Sequence, residues 1–138
     1  MPDYPHFTLN RGMVLLRYRQ PFLDWLHAAD PNPRDFTLDE INEDGEVFLI
    51  PNDTSPVEPV EMDEDAVRWV ERRWRMFFEH ILGDWLTDES LWPQKRTLKM
   101  FREWFAVEYH SMVWDMANEP LAVEDWGDEN GENGGLLH

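Results

Sequence analysis

Glu108 and His110, in the segment VEYHSM, have the residue types and the spacing for proton transfer. In an extended segment alternate side chains share a face, which brings this carboxylate and this imidazole within reach of a charge-assisted hydrogen bond. Histidine as a residue type changes charge near neutral pH, so the pair is a candidate general acid or base, with Arg96 as the third candidate catalytic residue. No nucleophile and no oxyanion device accompanies them in the sequence, and a surface or structural role is the commoner fate of such a pair. A deep pocket joining Glu108, His110 and Arg96 would mark a small hydrolase or acid/base enzyme. A flat acidic face beside exposed tryptophan would mark a binding protein.

Other chemistry is scarce. The chain has five His and no Cys, and it lacks the HExxH pattern, so neither a metal centre nor a cofactor is expected. His80 and Asp84, four residues apart, read as a helix-end pair. The loop Glu40-Ile41-Asn42-Glu43-Asp44-Gly45-Glu46-Val47 has the alternating acids and amides and the sixth-position Gly of a calcium loop. It begins with Glu where Asp belongs and has Pro51 at the twelfth position, where a bidentate carboxylate is needed, so a plain glycine turn is expected. P-loop, GxGxxG and GxSxG patterns are absent.

The elements around these residues follow from periodicity and punctuation. Thr97 is placed to cap a helix whose Leu98, Phe101, Trp104 and Phe105 share one face, while Lys95, Arg96, Lys99 and Arg102 fall mostly elsewhere. From Val107 a period of two sets Val107, Tyr109, Ser111 and Val113 against Glu108, His110, Met112 and Trp114, which favours a strand over Val107 to Asp115. One continuous helix is the rival, because Phe105, Tyr109, Met112 and Met116 also keep helical spacing. A strand is expected at Met13 to Arg19, and a helix from Pro21 with Phe22, Trp25, Leu26 and Ala29 on its apolar face. Thr37 to Glu40 matches a capping box. The run from Val47 to Ile50 reads as a short strand covered on both faces, and PNDTSPVEPVE as a loop. A single long helix is expected from about Glu64, capped by Asp63 or a neighbour, to Leu82.

The stretch WPQKRTLKMFREWF followed by VEYHSMVWD resembles a small family of uncharacterised bacterial proteins that carry a WPxxRT helix and an ExHSMV segment. That resemblance implies a bacterial, cytosolic domain. It implies no activity, cofactor or site residue.

At 138 residues the chain has the size of one domain, and eight Trp with eight Phe can fill a dense aromatic core. The expected class is α+β: a small, mainly antiparallel three-stranded sheet packed on about three helices over residues 10–118. A loose lead-in over 1–9 and an acidic flexible tail over 119–138 flank it. The N-terminal MPDYPHFTLNRG has no basic or apolar signal-peptide region and no apolar run reaches membrane length, so a cytoplasmic location is expected.

The net charge of −17 is concentrated. Residues 35–66 carry twelve acids and no Lys or Arg, and residues 105–138 carry eight acids and no base. Residues 67–104 are nearly balanced, with eight bases against six acids, so Arg68, Arg72, Arg73 and Arg75 are expected to pair with the acidic blocks. Such a field opposes a phosphate backbone and favours a basic protein partner. The expected function is that of a non-enzymatic interaction protein, with Trp69, Trp92 and Trp126 as candidate aromatic anchors.

Overall fold

The computed structural model describes residues 6–127. The expected tail therefore lies outside the described residues from 128 onward. Residues 119–127 are exposed and belong to no helix or strand.

The fold is α+β. Strands β1 (Phe7–Thr8), β2 (Arg11–Tyr18), β3 (Val47–Pro51), β4 (Phe105–His110) and β5 (Trp114–Asp115) accompany helices α1 (Gln20–Ala29), α2 (Leu38–Ile41), α3 (Asp63–Arg72), α4 (Trp74–Trp85) and α5 (Leu98–Trp104). A 3-10 turn covers Glu89–Leu91. The main sheet is antiparallel in the order β3-β2-β4, and Val14 faces Phe48 on one side and Tyr109 on the other. The chain divides into two compact units. Thr8–Val113 holds this sheet and all the described helices. In the smaller unit, which includes Phe7 and Trp114, the His6 and Trp114 rings stack with centroids 6.4 Å apart.

Alternation in β2 decides which face is covered. Gly12, Val14 and Leu16 point inward and are buried, with Ile50 of β3 and Phe105 of β4 in the same layer. The helices supply Phe22, Leu26, Val70, Phe78, Leu82, Phe101 and Trp104 to that core. The other face of the sheet stays open, and this corrects the expectation for Val47 to Ile50. Val47 is 52% and Leu49 49% exposed while Ile50 is 1% exposed, so β3 is an edge strand covered on one face only. A four-residue apolar run looks the same from the sequence whether one face or two are covered.

The expected long helix is broken. Arg73 leaves helical geometry at φ −118° and ψ 25°, separating α3 from α4. Its guanidinium donates to the Trp69 carbonyl at 3.0 Å and to both Glu58 oxygens at 3.0 and 3.2 Å, and stands 3.8 Å from the centroid of a Trp69 ring. That side chain satisfies a carbonyl released at the break, which is what a helix end requires. Nor does Asp63 cap α3. Asp65 reaches back instead, accepting from the backbone N–H of Met62 at 3.0 Å and of Glu61 at 3.1 Å. Helix α4 runs past Gly83 to Trp85, and a Cβ on Gly83 would sit 3.5 Å from the Trp92 ring.

Other local signals are realised as the residues suggest. Thr37 accepts from Glu40 N–H while Glu40 accepts from Thr37 N–H, and Thr97 accepts from Met100 N–H at 3.1 Å. After Trp104 the chain becomes a strand instead of continuing as helix. It starts at Phe105, two residues before the expected Val107, and the expected long strand is divided into β4 and the separate β5. Phe105 is thus a strand residue, yet it is 3% exposed and packs 5.2 Å from Phe101.

Candidate functional site

The strand at residues 105–110 sorts its side chains as the period of two requires. Glu108 and His110 are exposed on the open face, where His110 Nε2 lies 2.8 Å from Glu108 Oε2. Arg17 Nε, one strand over, is 4.0 Å from Glu108 Oε1. Arg96 is held elsewhere: it donates to Glu79 at 2.7 Å and to the Pro93 carbonyl at 2.8 Å, with its guanidinium carbon 5.7 Å from the centroid of a Trp92 ring. The structure brings Glu108 and His110 together and gives Arg96 different partners.

Of the candidate aromatic anchors, Trp69 is half-buried under Arg73. Trp92, also half-buried, donates its indole N–H to the Leu86 carbonyl at 2.7 Å. Trp126 is 82% exposed. The arginines of α3 and its end pair within the chain: Arg68 with Asp65 at 2.6 Å, Arg72 with Glu58 at 3.9 Å and Arg73 with Glu58 at 3.0 Å. Arg102 forms a double contact with Glu71, both at 2.9 Å. Arg75 of α4, also expected to pair, instead has its guanidinium carbon 5.0 Å from the centroid of the Trp74 ring.

Four of the acids of residues 35–66, Asp53, Glu61, Asp63 and Glu64, lie around Tyr109, on the opposite side of β4 from Glu108. Two adjoining hollows of about 430 Å³ and 360 Å³ share Glu61, Tyr109 and Ser111. Asp53, Asp63 and Glu64 stand at their walls, and the exposed thioethers of Met62 and Met112 flank them. Gly12 makes the arrangement possible. A Cβ there would come within 2.9 Å of the Tyr109 ring and 3.2 Å of the His110 carbonyl oxygen, so only glycine lets that ring lie across β2. Burial pushes the Tyr109 phenol above its ordinary value, and the carboxylates of Asp53, Asp63 and Asp65 push it the same way. Asp65 itself is held below the usual range by the Met62 and Glu61 amides and by Arg68.

The sequence placed Tyr109 on the face opposite Glu108 and marked residues 35–66 as acidic. It did not join the two, because Asp53 and Tyr109 meet only through the pairing of β3 and β4 on either side of β2. No protein-family model, curated protein or solved structure matches the chain.

A second half-buried phenol, Tyr18, gives a pH prediction. Burial raises Tyr18 most, Glu46 adds to the rise, and the Trp85 indole N–H, donated at 2.8 Å, opposes it. Tyr18 and Tyr109 therefore stay neutral in the folded chain at a pH where unfolded tyrosine, at 10.0, begins to ionise. Their contribution is complete below that value and is lost as pH climbs through the higher folded values. Urea unfolding followed from pH 8 to 11 is expected to show stability declining above about pH 10, and less steeply in Tyr18→Phe. An identical slope in that variant would refute the assignment to Tyr18.

Proposed function

We propose that this protein is a non-enzymatic, cytoplasmic interaction protein that engages a basic protein partner, with the acidic hollow around Tyr109 as its contact site. The observation that supports this most is the pairing of shape with charge. The hollow is walled by Asp53, Glu61, Asp63 and Glu64, and of these Asp53 and Asp63 add to the rise that burial gives the Tyr109 phenol. A lysine or arginine side chain entering it would meet carboxylates at the rim and a ring at the floor, while Met62 and Met112 offer deformable apolar contact. Antitoxin, immunity and nucleic-acid-mimic proteins belong to this functional class. Direct binding of nucleic acid does not, because its phosphates would face the same carboxylates.

The alternative, a small hydrolase or acid/base enzyme using Glu108 and His110, draws support from their 2.8 Å contact. Against it stands the absence of both residues, and of Arg96, from the walls of the hollows described above. Pull-down from a bacterial lysate at low and high salt tests the binding reading. A partner recovered at low salt and released at high salt is the expected result, since exposed charge contacts are screened within about 10 Å at 0.1 M salt. Recovery of no partner under either condition would overturn it.

A further inference from the structure

Three side chains that take no part in the hollow converge elsewhere in the same unit. We infer that Glu46, His80 and Asp84 form a binding site for a divalent transition-metal ion of the zinc class, which takes one imidazole nitrogen and two carboxylate oxygens. This inference does not depend on the partner proposed above.

His80 and Asp84 stand one turn apart on the α4 face, and Glu46 arrives from the glycine turn that leads into β3, 34 residues earlier than His80. His80 Nε2 lies 2.9 Å from Glu46 Oε2 and 3.5 Å from Asp84 Oδ2, and all three donor atoms fall within 4.8 Å of one another. Zinc binds nitrogen and oxygen at about 2.0–2.2 Å, so neighbouring donors in a tetrahedral shell stand roughly 3.4 Å apart. The two distances to Nε2 straddle that spacing. A widest separation of up to 4.8 Å would close by rotation of the two carboxylates, both of which are exposed.

One nitrogen faces two anionic oxygens. A single N–H on Nε2 aims at one of them, whereas a divalent cation at the point of convergence satisfies all three lone pairs at once. The Phe48 ring stands edge-on to the imidazole, with centroids 5.4 Å apart and planes at 78°, and limits the ways the His80 ring can turn. Ligand chemistry selects the class of ion. Mg²⁺ and Ca²⁺ prefer shells of oxygen alone, while an imidazole with carboxylates suits Zn²⁺ and its neighbours. Side-chain exposures of 48%, 48% and 39% leave room for water to complete the shell. A bound ion would also tie the turn before β3 to the end of α4, so binding should raise the melting temperature.

The test uses the full chain, stripped with chelator and titrated with ZnCl₂. Calorimetry gives the stoichiometry, and nitrogen-detected NMR follows the imidazole signals. The expected result is one ion per chain at micromolar to submillimolar concentration, with His80 signals perturbed. Glu46→Gln and Asp84→Asn should each weaken binding by roughly tenfold or more, and His80→Asn should abolish this site. All three positions are exposed, and each variant is checked for folding by circular dichroism before titration. Unperturbed His80 signals at about 1 mM Zn²⁺ would overturn the proposal. So would unchanged affinity in His80→Asn, which would place the ion on other carboxylates, or equal perturbation of His80 by Mg²⁺, which would remove the zinc-class selectivity.

Discussion

Phe78→Ala is expected to destabilise the fold by about 3–5 kcal/mol, the range for emptying an aromatic site in a packed core. Phe78 is 0% exposed and sits where three elements meet. Its ring centroid lies 5.9 Å from Phe101 and 5.2 Å from Trp104, both on α5, and 5.5 Å from Phe105 at the start of β4. Edge-on packing at 65° to Trp104 and 88° to Phe105 adds quadrupole attraction to the burial. These neighbours are themselves rigid and interlocked, so the void would collapse only in part. A domain of this size is stable by about 5–15 kcal/mol, so the loss is a large share of the total and should be plain in urea unfolding. Trp126→Ala, at a site 82% exposed, is expected to change stability by less than about 0.5 kcal/mol. Comparable losses from the two substitutions would mean that the aromatic cluster around Phe78 is not the centre of the core.

That cluster was half legible in the sequence. Helical spacing announced Phe101 and Trp104 on one face of α5, because that signal is local and depends on backbone geometry alone. The break at Arg73 left no local trace. Apolar residues keep helical spacing straight through it, and the contact that accompanies it joins the Arg73 guanidinium to Glu58, fifteen residues back in a proline-rich loop. The open face of β3 was hidden for a related reason: whether Val47 and Leu49 meet a second layer depends on where every helix goes.

The candidate sites divide in the same way. Glu108 and His110 lie two apart on one strand, and their contact was readable from β geometry. Arg96 was the third candidate beside them, yet its position before α5 hands it to Glu79 on α4. Glu46 and His80 lie 34 residues apart, and Asp53 reaches the Tyr109 hollow from a different loop. The helical spacing of His80 and Asp84 supplied two-thirds of the proposed metal site, and the third ligand needed the fold.

Changing Asp53, Glu61, Asp63 and Glu64 to their amides is expected to cost roughly 30-fold or more in affinity for a lysine-rich peptide at low salt, and little at high salt. Asp65 is kept, because its carboxylate receives two backbone amides at the start of α3 and Arg68 beside them, so its loss would damage the helix. The four chosen positions line the hollow, and among the described residues none of their side chains makes a hydrogen bond that holds the fold. Their removal relieves self-repulsion in a chain of net charge −17 but takes two carboxylates from the first turn of α3, so the melting temperature should change little. A second readout is independent of any ligand. Asp53 and Asp63 hold the Tyr109 phenol up, so neutralising them should lower its titration midpoint, while the rise due to burial persists. With ¹³C-labelled tyrosine the two effects are measured on one sample. A lowered Tyr109 midpoint with unchanged peptide affinity would confirm the field in the hollow and reject the hollow as the contact site. An unchanged midpoint would show that these carboxylates do not act on Tyr109 at all.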